Sequence, residues 1–118
     1  MNSVELPWPP SILSPNSAKS WRAKIKPRAK YKADCYFLCR KANLINPGSE
    51  KIHVFIEFFQ PDNRKRDQDN MLASTKYLLD GVADSMLVDD SRFVLHPLFS
   101  DTRIKGGIIK IKITGSRD

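Results

Sequence analysis

Lys51-Ile52-His53-Val54-Phe55-Ile56-Glu57-Phe58-Phe59 is the stretch on which the reading of the fold turns. Side chains alternate sides along an extended chain. Ile52, Val54, Ile56 and Phe58 therefore share one face, and His53, Phe55, Glu57 and Phe59 share the other. That pattern predicts a strand with one apolar face in the core, and it makes His53 a wall residue rather than a catalyst. Gln60-Pro61-Asp62-Asn63 then turns the chain into Arg64-Lys65-Arg66-Asp67-Gln68-Asp69-Asn70. Beyond it Met71, Leu72, Thr75, Leu78, Leu79 and Val82 recur at helical spacing, which predicts one amphipathic helix whose end Gly81 weakens.

Outward from this centre the remaining elements follow. Upstream, a helical pattern runs from about Arg28 to Asn43, with Cys35, Leu38, Cys39 and Ala42 as its apolar stripe and Ala33, Tyr36 and Phe37 beside it. Asn46-Pro47-Gly48-Ser49 is a strong breaker after it. At the front, Ser3 to Leu6 reads as an edge strand stopped by Pro7, and three prolines around Trp8 stiffen the next segment. Downstream, Arg92 to Phe99 reads as a strand that Pro97 confines to an edge. A turn through Asp101-Thr102-Arg103 and Lys105-Gly106-Gly107 leads to a last strand with Ile109, Ile111 and Ile113 inward. The order β-α-β-α-β-β predicts an α/β (α+β) fold: a small mixed sheet of about four strands with two main helices, in a single domain over residues 1–118.

The chain carries a formal charge of +7. Residues 1–66 hold 13 Lys/Arg against 5 Asp/Glu, a net +8, and residues 67–118 hold 7 against 8, a net −1. The front half is thus built to meet a polyanion. Arg22, Lys24, Lys26, Arg28, Lys30 and Lys32 occupy alternate positions. They would share one side of an extended segment and spread around a helix, and in either case they make a dense positive surface. Trp21 and Tyr31 stand by to stack on unpaired bases. The two cysteines lie four apart, a poor arrangement for a disulfide, and with His53 and His96 scattered they fall short of a zinc site. No apolar run reaches the roughly 20 residues of a membrane span, and the first residues lack a secretion signal. A cytoplasmic location, in a bacterial cell or a phage-infected host, is the expectation.

The cluster at 64–70 carries the chemistry. Asp67 and Asp69 read as an acidic helix start, with Asp69 as N-cap. They also read as oxygen ligands for Mg²⁺, with Arg64, Lys65 and Arg66 placed to hold the phosphates such an ion acts on. A third carboxylate would come from Asp89 or Asp90, the acidic pair just before a strand, where a short connection could return the chain to the helix mouth. Lys76, seven residues past Asp69, could contact the scissile phosphate or pair with Asp80 on the surface.

At these residues the sequence resembles the RusA family of Holliday-junction resolvases, endonucleases of phages and prophages. The likeness is carried by Leu6-Pro7-Trp8-Pro9-Pro10-Ser11, Arg66-Asp67-Gln68-Asp69-Asn70, Asp89-Asp90-Ser91 and Lys105-Gly106-Gly107, in the family's order, and it runs from residue 4 to residue 114. The resemblance implies a Mg²⁺-dependent homodimer, with Mn²⁺ able to substitute and no small-molecule cofactor. It would bind four-way DNA junctions and nick two symmetrically related strands during recombination and repair. It places the metal on Asp67, Asp69 and Asp90. The DNA contacts are those of the basic surface read above, Trp21, Arg22, Lys24, Lys26, Arg28, Lys30, Arg64, Lys65 and Arg66, and Lys76 is the candidate catalytic lysine. One departure stands out: the family's lysine falls three residues after the asparagine, where this chain has Ala73. Lys76 and Asp80 keep the family's mutual spacing but lie three residues further on. Two other functions fit the same residues, a branched-DNA-binding protein that has lost turnover and a nuclease of flaps or other branched DNA.

Overall fold

The computed structural model describes residues 2–115, in the order β1 (Ser3–Pro7), α1 (Trp21–Lys41), β2 (Ile52–Phe59), α2 (Gln68–Ala73), α3 (Lys76–Met86), β3 (Phe93–Phe99) and β4 (Ile108–Gly115), with 3-10 turns at Ser11–Leu13 and Asp90–Arg92. The alternation at 52–59 holds residue by residue: Ile52, Val54, Ile56 and Phe58 are buried and their neighbours half-buried. The strands line up as β1-β4-β2-β3, with β1 and β2 antiparallel to β4 and β3 parallel to β2. The fold is therefore the α+β arrangement expected, a four-stranded mixed sheet with two main helices. Pro97 lies on the edge strand β3, where its missing N–H costs no ladder bond.

The helices α1 and α3 cover one face of the sheet. Tyr31, Cys35 and Cys39 from α1 and Leu78, Val82 and Met86 from α3 close over Leu6, Ile56, Ile109 and Ile111. Both cysteines are free thiols in this core. Burial raises Cys39 to about 11, and it raises Cys35, with Cys39 adding to the push, to about 12. The two helices pack closely because of Gly81. A Cβ there would stand 2.7 Å from the Lys32 carbonyl oxygen and 3.1 Å from Cys35 Cβ.

Two boundaries differ from the sequence reading. The first helix begins at Trp21, not near Arg28, capped by Ser20, whose hydroxyl accepts from the Ala23 N–H at 3.3 Å. Pro27 sits inside it. The stretch 71–82 is two helices rather than one. Ser74 Oγ donates to Met71 O at 2.7 Å and Thr75 Oγ1 to Leu72 O at 2.6 Å, so the hydroxyls take up carbonyls of the preceding turn, and Thr75 leaves helical geometry at φ −92°, ψ 7°.

Candidate nucleic-acid and metal site

Because β2 and β3 run parallel, Ile52 lies beside Phe93 and Phe58 beside Phe99. The chain leaves β2 at Phe59 and must return the length of that strand, about 23 Å at roughly 3.3 Å per residue, before β3 can begin. The helix α3 makes that return. Asp67 and Asp69 follow the Phe59 end, whereas Asp89 and Asp90 precede the Ile52 end.

At the first end Asp67, not Asp69, caps α2: its Oδ1 accepts from the Asp69 N–H at 2.9 Å. Asp69 lies in the first turn, and both residues are exposed. At the second end Asp89 caps the 3-10 turn, and the Ser91 N–H it accepts at 2.8 Å lowers its pKa. Asp90 meets α3 instead of the mouth of α2. The turn that carries it packs against α3, and Asp80 there has its pKa raised first by burial and then by Asp90. Lys32 and Lys76 stand close enough to pull the other way. Lys32 pairs with Asp84 at 3.1 Å, and the ammonium of Lys76 lies 6.0 Å from the Tyr77 ring centre. Among the described residues no three His, Cys, Asp or Glu side chains gather to hold a metal ion. Asp67, Asp69 and Asp90 thus do not form one ligand group here. The acidic pair that does form is Asp80 with Asp90, and the sequence signal for Asp80 was its spacing of four from Lys76.

The basic run is helical, so its alternation becomes two ridges at about 100° per residue. Lys24, Arg28 and Lys32 share one ridge: Arg28 and Lys32 meet α3, the guanidinium of Arg28 5.2 Å over Tyr77, while the Lys24 ammonium donates to Ser17 O at 3.5 Å. Arg22, Lys26 and Lys30 line the other side, with Lys30 paired to Asp34 at 2.8 Å. Trp21 opens the helix 63% exposed, with Arg22 5.7 Å over its ring. Tyr31 is not free to stack on a base: it is buried and its hydroxyl donates to Pro7 O at 2.7 Å.

The second basic group lines a cleft of about 470 Å³ between the Trp8-Pro9-Pro10 segment and the start of α2. Arg64, Lys65 and Arg66 form one side, and Asp67, Asn70 and Ser74 close it. Arg66 is fixed by Asp62 at 2.7 Å and by Gln60 at 3.2 Å. That guanidinium holds the Asp62 carboxyl down at about 2. Sequence reading found the cations and the tryptophan but not that they share a cavity.

Among the described residues no helix is long and apolar enough to cross a membrane. No family model matches the chain. An uncharacterized protein of Xylella fastidiosa (strain Temecula1 / ATCC 700964) is 37% identical over 118 residues, a match covering 98% of this chain and 77% of the relative. Identity at that level over nearly the whole sequence makes the two homologous, and the chain belongs to the same family as this Xylella fastidiosa protein.

Proposed function

We propose that the chain is a Mg²⁺-dependent endonuclease of branched DNA that resolves four-way junctions by paired nicks as a homodimer, in the manner of the RusA-like proteins whose motifs it resembles. The observation that carries the reading is the packing of the Asp90 turn against α3, where Asp90, Lys32 and Lys76 all act on Asp80, next to a helix with Arg22, Lys24, Lys26 and Arg28 in its first two turns. Facing carboxylates suit a hard divalent ion, because Mg²⁺ keeps most of its water and needs only one or two protein oxygens. Asp80 and Asp90 would hold it. When bound there, Mg²⁺ supplies a Lewis acid for the phosphoryl oxygens and a more acidic water. The chain's own part is positional. Lys76 meets the phosphate at which charge develops, the Arg28 and Lys32 ridge leads the backbone in, and Asp67 and Asp69 add negative charge at the neighbouring helix start.

A nicking assay on synthetic four-way junctions tests this. Asp80→Asn and Asp90→Asn should each lower Mg²⁺-dependent nicking on the order of 100-fold or more while junction binding persists. Wild-type nicking of both symmetric strands, with a dimer by light scattering, is the accompanying expectation. A second reading is a branched-DNA-binding protein without turnover. It is favoured by the absence of a third carboxylate beside Asp80 and Asp90 among the described residues. Tight junction binding with no Mg²⁺-dependent cleavage by the wild type would establish it and sink the nuclease. Single cuts on flaps in place of paired nicks on junctions would change the substrate.

A further inference from the structure

We infer that the cleft under Trp8 holds one unpaired nucleotide of the bound strand and selects its base. This rests on the branched-DNA reading and deepens it, since a strand crossing at a branch point offers bases that are no longer stacked. At about 470 Å³ the cleft falls within the range of pockets that enclose a small ligand. Its aromatic wall is rigid. Trp8 meets Phe58 edge-on at 6.1 Å between ring centres. Gly107 presses on its other side so closely that a Cβ there would lie 2.8 Å from Trp8 Cβ and Cγ.

Against this wall Arg66 is held as a flat plate. Its guanidinium carbon lies 5.7 Å from the Trp8 ring centre. Its Nη1 donates to Asp62 Oδ1 at 2.7 Å and to Gln60 Oε1 at 3.2 Å, and its Nη2 to Asp62 Oδ2 at 3.3 Å. Donors engaged in this way are poorly free to grip a phosphate, but the guanidinium plane stays available. Unpaired bases stack on such planes and on aromatic rings. The phosphate falls to Arg64 and Lys65, exposed at the rim and without an ion pair among the described residues.

Asn70 supplies the reader. It is half-buried in the lining, and its side-chain amide makes no hydrogen bond among the described residues. An amide presents a donor beside an acceptor and so matches the edge of a base. Stacking plate, phosphate cations and edge reader thus converge on one cavity, which is what recognition of a single nucleotide requires.

The test uses the Trp21→Phe protein, in which Trp8 is the remaining tryptophan. Single-stranded pentamers of dA, dC and dT and an abasic pentamer are titrated in EDTA, with binding followed by anisotropy and by Trp8 emission. The expected result is a saturable change in Trp8 emission with the base-bearing pentamers, and affinities that differ at least threefold among them. Asn70→Ala should flatten that difference and leave abasic binding unchanged. Arg64→Ala with Lys65→Ala should weaken all pentamers alike. Pentamers that bind without moving Trp8 emission, that fail to bind, or whose base preference survives Asn70→Ala would overturn the inference. Junction nicking is measured on the wild-type protein. Nicking with a silent Trp8 overturns the cleft alone, and a responsive Trp8 without nicking overturns the nuclease reading alone.

Discussion

Replacing Gly81 by alanine sets two effects of opposite sign against each other. Alanine inside a helix is worth about 1 kcal/mol over glycine, so a solvent-facing site in α3 would gain stability. At Gly81 the added methyl would meet Lys32 O at 2.7 Å, Cys35 Cβ at 3.1 Å and Tyr36 N at 3.2 Å. Two of these are backbone atoms of α1 and the third is fixed to its backbone, so no rotamer change relieves the contact. The two helices must move apart by roughly half an ångström, and overpacking of this kind costs about 1–3 kcal/mol. Separation also loosens the Lys32–Asp84 pair at 3.1 Å and the Arg28–Tyr77 stack. Because the contacts are with backbone, the cost lies in the upper part of that range, about 2–3 kcal/mol. The expected net is a loss of about 1–2 kcal/mol, a fall in Tm of roughly 4–8 °C for a chain of this size. Urea melts followed by circular dichroism, with an unchanged m-value, measure it. A Gly81→Ala protein as stable as wild type or more so would refute the close helix crossing on which the placement of Asp80 and Lys32 depends.

Three further outcomes are expected. Folding holds the Cys39 and Cys35 protons more tightly, with pKa values raised from 9.0 to about 11 and about 12, so the stability they contribute is full below about pH 9 and is lost as pH rises through those values. Urea midpoints in reducing buffer should fall over that range, less steeply in Cys39→Ala, and equal slopes in both proteins would contradict the burial. Neutralising Arg22, Lys26 and Lys30 together should cut the slope of log affinity against log salt for junction DNA by up to about 3, and an unchanged slope would remove that ridge from the interface. Deleting Ala73, Ser74 and Thr75 would put the lysine three residues after Asn70, the spacing of the resemblance, but withdraws Thr75, which is fully buried. It also drags Gly81 out of register with Cys35, so the variant should unfold at markedly lower urea, and a deletion as stable as wild type would show the break to be dispensable.

The sheet was legible because its strands have one buried face, and a period of two survives any uncertainty about their neighbours. The start of α1 was not. Every second one of its first ten residues is a cation and most are exposed, Pro27 argues against a helix locally, and the buried stripe begins only at Tyr31. The break at Ser74–Thr75 was hidden for the opposite reason: Met71, Thr75, Leu78 and Val82 keep helical spacing across it, and Thr75 is buried as a helical residue would be. Asp67 and Asp69 were visible as a pair because they are neighbours in sequence. The pairing of Asp80 with Asp90 is tertiary, produced by a turn that folds back on α3, and no local pattern encodes it.

That break also decides which acids Lys76 serves. In an unbroken helix the seven residues from Asp69 would bring Lys76 to within about 20° of it, roughly 10 Å along the axis. Thr75 ends that relation, and Lys76 begins a new helix in which Asp80 is four residues on. Ser74, two residues before Lys76, still lines the cleft that holds Trp8 and Arg66. A strand lying along this surface would therefore pass from the cations at 64–65, over the cleft, to Lys76 and then to Asp80 and Asp90. On the proposed reading, base selection and phosphodiester cleavage are neighbouring events on one strand. On that same reading the two residues that interrupt the helix would set the spacing between the selected base and the cut.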